Sequence, residues 1–237
     1  MNIFSKIWNH RWMIRAFIPS LILNFKQLPF RQACKLPIII YKPHFGTLDG
    51  KIIIQGDVRF NMIQLGRNLV SLFPNNGIRF GNSGKIIFKG RTCIGNSSSI
   101  FVGKNGILTF GDLFNATAVF SVICYNDIKF GYDIGIGWNC TFIDTDFHVV
   151  KNMITGEKTK GYGSIRIGDG VWIANSCKIY KNVEIPSKTI VGADTILHKP
   201  VACEPGSLII NEHKVIVRNI GYYRDMRDDT VVYDKKV

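Results

Sequence analysis

Apolar residues recur at every sixth position along the C-terminal half of the chain. From Ile167 the positions are Ile167, Ile173, Ile179, Ile185, Val191, Leu197, Cys203 and Ile209. Four residues after each of the first seven stands a small or β-branched residue: Val171, Cys177, Val183, Thr189, Thr195, Val201 and Ser207. A period of six fits neither an α-helix nor a simple alternating strand. It predicts short parallel strands separated by corners, three to a coil of about 18 residues, with the aliphatic positions inside.

The same period continues upstream, but less regularly. Its members there are Phe88, Ile94 and Ile100, then Phe110, Ala116, Val122 and Ile128, then Phe130, Ile136, Phe142 and His148. The slips between these runs predict bulges or small loops at corners. Residues 149–164 fit no coil and predict an extruded loop, which on a rigid scaffold is commonly functional. We therefore expect an all-β domain, a parallel β-helix, over residues 51–218.

The segments that flank the repeat have a different character. Within residues 1–50 a basic amphipathic helix is predicted from Ile3, Ile7, Trp8, Trp12, Met13 and Ile14 with Lys6, Arg11 and Arg15. Such a helix can cap the first coil, and it can also lie on an anionic membrane through residues 1–36; the two roles are compatible. Residues 219–237 carry no six-residue pattern and are expected to close the other end as a cap or tail.

The net charge and the cysteine residues restrict the expected binding partners and the expected cellular compartment. Lys and Arg number 30 against 17 Asp and Glu, a formal charge of +13. No helix-turn-helix, zinc-finger or RNP-type motif accompanies that charge, so we expect no nucleic-acid partner. The six cysteines form no C-x-x-C pair and are expected to be reduced, buried thiols. No apolar stretch is long enough to span a membrane and no signal peptide is evident, which predicts a cytoplasmic protein.

Five stretches of the sequence resemble a known family. The hexads at 167–172, 173–178 and 191–196 resemble the hexapeptide-repeat acyltransferases, which are left-handed β-helices. Asp-Thr-Asp-Phe-His at 144–148, followed by the loop, is similar to the branch that O-acetylates sugars of capsule and lipopolysaccharide, as is the segment 24–38. The resemblance implies acetyl-coenzyme A as cosubstrate, a sugar acceptor, and a homotrimer with its active sites between subunits. Left-handedness follows from the resemblance alone, because crossover connections are normally right-handed.

His148 is the predicted general base. It stands six residues after Phe142, where the coil gives way to the loop. A sugar hydroxyl is a poor nucleophile at neutral pH, and an imidazole can remove its proton during attack on a thioester. Asp144 and Asp146 precede it by four and two residues, so that one of them could orient the imidazole. The alternative for either carboxylate is a corner turn, in which Asp bonds to nearby backbone.

The resemblance also suggests which residues bind the two substrates. It implies that Trp172, Ala174, Asn175 and Ala193 line the pantetheine arm of acetyl-coenzyme A, with Lys199 further along and Lys214 and Arg218 at the phosphates. The stretch 210–214 lacks the Gly-x-Pro common in the family, which leaves the adenine end undefined. Trp138 and Asn139 combine an aromatic ring with an amide and suit a sugar, although Trp138 also fits a subunit contact.

Other functions fit these features less well. The remaining histidines, His10, His44, His198 and His213, do not fall at coil spacings from His148 that would build a three-histidine metal site, so no metal is expected. A transferase of the same fold could use serine, an amino sugar or an antibiotic as acceptor. A non-catalytic β-helix scaffold would not need His148, its carboxylates and the adjacent loop together.

Overall fold

The computed structural model describes residues 11–74, 76–150, 153–212 and 214–219. Ile3, Lys6, Ile7 and Trp8 of the predicted helix, and the tail beyond residue 219, lie outside the described residues. So do the side chains of Arg11, Trp12, Met13 and Ile14, and those of the predicted phosphate-binding residues Lys214 and Arg218.

Three sheets of stacked strands form the sides of a triangular coil. Sheet A contains β1 (Ile38–Ile40), β4 (Ile63–Arg67), β7 (Thr92–Gly95), β10 (Phe114–Ala116), β13 (Gly135–Ile136), β16 (Trp172–Ile173), β19 (Ile190–Val191), β21 (Ser207–Glu212) and β22 (Lys214–Asn219). Sheet B contains β2 (Pro43–Leu48), β5 (Ile78–Asn82), β8 (Ser98–Val102), β11 (Ser121–Cys124), β14 (Thr141–Ile143), β17 (Lys178–Tyr180) and β20 (Ile196–Leu197). Sheet C contains β3 (Lys51–Ile54), β6 (Lys85–Phe88), β9 (Ile107–Phe110), β12 (Asp127–Phe130), β15 (Ser164–Ile167) and β18 (Glu184–Ile185).

The register of these strands confirms the predicted repeat. Ile167 pairs with Ile185, Ile173 pairs with Val191, and in each pair the residues are 18 positions apart, which is one coil. Ile173 is fully buried. Between the described strands every pairing is parallel except that of β21 with β22. The fold is thus the predicted left-handed parallel β-helix.

Aromatic stacking fills the interior of the middle coils. The rings of Phe88 and Phe110 stack with 5.2 Å between centroids, and those of Phe110 and Phe130 stack with 5.5 Å. All three are almost completely buried. Because equivalent positions of successive coils lie one above another, a phenylalanine at the same inward position on each coil builds a continuous column of rings. This column gives the corners of the middle coils a rigid support.

The six-residue repeat is interrupted near the C-terminal end of the β-helix. No strand follows β20 on sheet C within residues 198–206. Cys203, predicted to point inward, does pack against the core but is only partly buried. Pro200 and Pro205 explain the interruption, because proline cannot donate to a strand ladder.

An N-terminal helix covers the open end of the first coil. Helix α1 spans Arg11–Gln27 and a short helix α2 spans Phe30–Ala33. The Ile38 N–H donates to Asn24 Oδ1, Asn24 Nδ2 donates back to the Ile38 carbonyl, and the Ile40 N–H donates to Ser20 Oγ. Side chains of the helix therefore satisfy the exposed edge of β1, as expected of a cap. The coils begin at β1, ahead of the predicted boundary at residue 51.

The cysteines are unpaired, and half of them are buried. All six cysteines are free; Cys124, Cys140 and Cys177 are buried as predicted, whereas Cys34 is exposed because it follows α2 outside the coils. Burial raises the pKa of the Cys124 thiol, with the nearby Asp144 adding to the rise. In the part of the chain that the structure describes, no helix is both long and apolar enough to cross a membrane.

Candidate active site

His148 lies at the base of an arm that leaves the coil between sheets B and C. Strand β14 ends at Ile143 and β15 begins at Ser164, and the described residues between them, 144–150 and 153–163, belong to the predicted extruded loop. At the base of the arm, the outgoing and returning segments lie side by side. The Asp146 N–H donates to the Gly161 carbonyl at 2.7 Å, and an antiparallel bridge joins Thr145 to Tyr162. The His148 side chain is exposed, so a substrate can reach its imidazole.

The Asp146 carboxylate forms an ion pair with the ammonium group of Lys181. Lys181 follows β17 in the next coil, because Ile143 pairs with Tyr180 and the residues after them lie one above the other. The pair is partly exposed, so its own contribution to stability is small. Lys181 was not predicted from the sequence. In a regular coil the residue above Asp144 would come about 18 positions later. The arm lengthens this coil, so that spacing does not lead to Lys181.

Asp144 is fully buried and holds the neighbouring corner turn. Its Oδ1 accepts the Tyr125 N–H at 2.7 Å and its Oδ2 accepts the Asn126 N–H at 2.8 Å. Burial raises the pKa of Asp144, although the two N–H groups act in the opposite direction. The carboxylate thus occupies the corner turn that the sequence left open as its alternative role, with both oxygens engaged by backbone.

Trp138, Asn175 and Ala193 lie one above another at the corner between sheets A and B. The Ser176 N–H donates to the Trp138 carbonyl at 2.9 Å, and the Asp194 N–H donates to the Asn175 carbonyl at 3.0 Å. The structure therefore brings three of the predicted substrate-binding residues together in consecutive coils. A ligand that lies along this corner would therefore contact Trp138, Asn175 and Ala193 in that order.

The exposed side of this corner combines aromatic and amide groups. The Trp138 ring packs at a tilt against Phe73, with 6.5 Å between centroids. Asn139 has a left-handed backbone, φ 60°, and its amide lies 3.4 Å from Ser176 Oγ. Asn tolerates this conformation better than most residues, which accounts for its place at the corner. Both side chains remain accessible, as a binding role requires.

Small residues keep the same corner narrow. A Cβ atom placed on Gly137 would lie 2.7 Å from the Asn175 nitrogen and 2.8 Å from the Ala174 carbonyl carbon. Ala174 and Ala193 add only methyl groups beside this backbone. An extended ligand arm could approach the backbone here, where larger side chains would keep it away.

Trp172 and Arg218 belong to sheet A. Trp172 pairs with Ile190, Ile190 pairs with Leu208, and Leu208 pairs with Arg218, so that Arg218 is three strands along from the tryptophan. Trp172 is partly exposed beside Gly135, its partner in the preceding coil, which has no side chain to compete for the space. Lys214 begins β22 on the same sheet.

The predicted donor and base residues occupy two different corners of one chain. Trp138 precedes β14 and His148 follows it, and a strand of three residues spans roughly 10 Å. Lys199 lies at the His148 corner, since Leu197 pairs with Ile179 two residues before Lys181. One chain alone therefore does not bring His148 together with Trp138. Among the described residues, no cluster of histidine, cysteine and carboxylate side chains is arranged to hold a metal ion.

No protein-family model matches the chain, and no curated protein matches it. Solved structures of similar fold include the polySia-specific acetyltransferase NeuO, with a TM-score of 0.47 and 18% identity over 80% of each chain. The polysialic acid O-acetyltransferase OatWY has a TM-score of 0.46 and 20% identity over 79% of this chain and 73% of that one. The hexapeptide-repeat acetyltransferase VCA0836 of Vibrio cholerae O1 biovar eltor, complexed with acetyl-coenzyme A, has a TM-score of 0.36 and 14% identity over 89% and 88%. These are similarities to acetyltransferases, one of which is a hexapeptide-repeat protein by name.

Proposed function

We propose that the protein is an acetyl-coenzyme A-dependent O-acetyltransferase that acetylates a sugar hydroxyl in surface polysaccharide biosynthesis. The observation that carries the proposal is an exposed imidazole at the base of an extruded arm, on a coil of hexapeptide repeats. A buried carboxylate at residue 144 and the ion pair of Asp146 with Lys181 hold the segment before it to the preceding and the following coil. Such support fixes a group that must meet a substrate in one geometry.

His148 acts as the general base. Its imidazole accepts the hydroxyl proton while the hydroxyl oxygen attacks the thioester carbonyl carbon, and the carbon–sulfur bond breaks as the new ester bond forms. The imidazolium then gives the proton to the departing thiolate, so the side chain ends as it began. No covalent enzyme intermediate is needed, because the thioester is already an activated acyl donor.

The two aspartates support this step in different ways. Asp146 lies two residues before His148, and its ion pair with Lys181 holds the start of the arm against the next coil. Asp144 acts as a positioning residue, because its carboxylate fastens the corner at residues 125–126 beneath the arm. Neither carboxylate needs to exchange a proton with substrate.

The corner of Trp138, Asn175 and Ala193 suits the pantetheine arm of the donor. Its small side chains leave backbone N–H and C=O groups accessible to the amides of an extended ligand. Trp172 and Ala174 flank the same path, and Lys214 and Arg218 carry positive charge suited to phosphates. Lys199 lies at the His148 corner and would therefore meet the donor from the neighbouring chain. Trp138 and Asn139 face the acceptor at the start of this path. The protein needs no metal for this chemistry.

A homotrimer would complete the site. Because His148 and Trp138 lie at opposite ends of β14, one chain supplies the base and a neighbouring chain supplies the donor corner. The tip of the arm supports this assembly: the side chains of Met153 and Ile154 are 102% and 96% exposed in the single chain. Apolar side chains that stand so far into solvent are typical of a surface that another chain covers.

The outer face of α1 supports a peripheral contact of this cytoplasmic enzyme with the membrane. Phe17, Ile18, Ile22 and Phe25 are exposed on that face. Arg15 and Lys26 lie on the same helix and are exposed as well. An apolar face bordered by basic residues inserts shallowly between anionic lipid headgroups. The opposite face contacts β1 as a cap, so the exposed face is left available for the proposed membrane contact.

The proposed function is tested by the release of coenzyme A from acetyl-coenzyme A in the presence of different acceptors. Sugars and oligosaccharides should stimulate release, and serine, amino sugars that react at nitrogen, and aminoglycoside antibiotics should not. Stimulation by one of the latter only would assign a different acceptor to the same base. The absence of release with every acceptor would favour a non-catalytic scaffold.

A further inference from the structure

A strip of three aromatic side chains runs along the corner between sheets B and C toward His148. Phe101 lies in β8, Tyr125 follows β11, and Phe147 directly precedes His148. The rings of Tyr125 and Phe147 meet edge to face with 5.1 Å between centroids. All three side chains are exposed, and Phe147 is 55% accessible. The strip is thus an open surface that ends beside the proposed base.

Glycine backbone supports two of these rings from behind. A Cβ atom on Gly103 would lie 2.5 Å from Tyr125 Cδ1, and a Cβ atom on Gly81 would lie 3.0 Å from Phe101 Cδ1. Each ring therefore rests against a stretch of chain that leaves no room for a side chain. One ring face is held against the protein while the rest of the ring stays accessible.

The strip borders a groove of about 450 Å³ that also carries polar groups. Asp49, Ser83 and Lys104 line it together with Phe101 and Tyr125. Aromatic surface with a few convergent polar groups is the usual make-up of a small-molecule or sugar site. The C–H faces of a pyranose ring stack on the negative face of an aromatic ring, and its hydroxyls bond to carboxylate, hydroxyl and ammonium groups.

The charged lining favours a glycan over a second protein chain. The centre of a protein–protein interface is depleted of charged residues, whereas Asp49 and Lys104 both lie in this groove. The corner is also built to hold Tyr125 in place, because the buried carboxylate of Asp144 accepts the Tyr125 N–H. The same carboxylate begins the segment that ends in His148, so the groove and the base share one support.

We propose that this groove binds further sugar residues of an extended glycan acceptor, adjoining the sugar that reacts at His148. The inference rests on the proposed function and deepens it: the acceptor is a chain of pyranose rings and not a free monosaccharide. Phe147 would stack on the ring next to the reacting one, and Tyr125 and Phe101 would stack on rings farther along the corner.

Binding of defined hexasaccharides to the full chain tests the proposal. The probes are maltohexaose, chitohexaose and a hyaluronan hexasaccharide, each compared with its constituent monosaccharides by calorimetry without acetyl-coenzyme A. At least one hexasaccharide should bind more tightly than its monosaccharides. Tyr125→Ala and Phe101→Ala should each weaken that binding by about 3- to 10-fold, the worth of one stacked ring.

Tyr132→Ala is the matched control. Tyr132 is the same residue type and, like Tyr125, is 46% exposed, but it lies at the corner between sheets C and A. Its replacement should leave the affinity unchanged. Equal affinity of Tyr125→Ala and wild type, or no preference for any hexasaccharide, would overturn the proposal. So would dissociation of the assembly by Tyr125→Ala in light scattering, since the strip would then be a subunit contact.

The proposed function can fail separately from this groove. Hexasaccharide binding that depends on Tyr125 but is never accompanied by coenzyme A release would support the groove and refute the transferase. Turnover with a monosaccharide and a hexasaccharide at equal KM would support the transferase and refute the groove. His148→Ala should keep hexasaccharide affinity, because the stacking rings lie outside the reacting position.

Discussion

Replacing Asp144 with Asn converts one oxygen acceptor at the corner of residues 125–126 into an NH₂ donor. In the wild type the two carboxylate oxygens accept the N–H groups of Tyr125 and Asn126 at 2.7 and 2.8 Å. An asparagine oxygen can accept one of them, and its NH₂ group must then face the other N–H. Leaving one of these part-buried N–H groups without its acceptor costs about 1–3 kcal/mol. For a chain of this length that lowers the Tm by about 2–12 °C.

Thermal unfolding followed by circular dichroism at neutral pH measures this loss. Asp146→Asn is the control, because its carboxylate is partly exposed and pairs with the ammonium group of Lys181. Its free energy of unfolding should stay within about 0.5 kcal/mol of wild type. If Asp144→Asn unfolds at the wild-type temperature but loses turnover, Asp144 acts in the chemistry and its positioning role is wrong.

Three further outcomes are expected from the arm and the helix. Asp146→Asn should lower turnover less than His148→Ala does, because it weakens the placing of the base without removing it; an equal loss in steady-state kinetics would contradict this. Met153→Asp should shift the protein from trimer toward monomer in light scattering, since it places a charge in the proposed contact, and an unchanged mass would argue against that contact. Ile18→Asp should reduce flotation with anionic vesicles while leaving thermal stability nearly unchanged; undiminished flotation would leave α1 as a cap only.

The fold could be predicted because each coil obeys one local rule. An inward aliphatic at every sixth position needs no knowledge of distant contacts, and Ile173 and Ile179 are buried as that rule requires. The rule fails where the chain departs from it. The strand expected around Cys203 is missing because Pro200 and Pro205 cannot join a ladder.

The site was less predictable because its contacts cross between coils. Asp146 meets Lys181 only because the arm between them returns to the next coil, and the length of the arm hides that register. The aromatic strip could not be found from the repeat either. Its members are separated by 24 and 22 residues, from Phe101 to Tyr125 and from Tyr125 to Phe147, and not by the 18 of a regular coil. Their alignment depends on the slips between coils, which sequence spacing does not locate.

The central claim is that His148 removes the acceptor proton, and the turnover of His148→Ala tests it most directly. Coenzyme A release should be measured with an acceptor that the wild type uses, after circular dichroism has shown that the variant unfolds at the wild-type temperature. Turnover should fall about 10²- to 10⁴-fold, the usual worth of a general base, with little change in affinity for acetyl-coenzyme A. Near-normal turnover of the folded variant would contradict the mechanism, even with the β-helix intact.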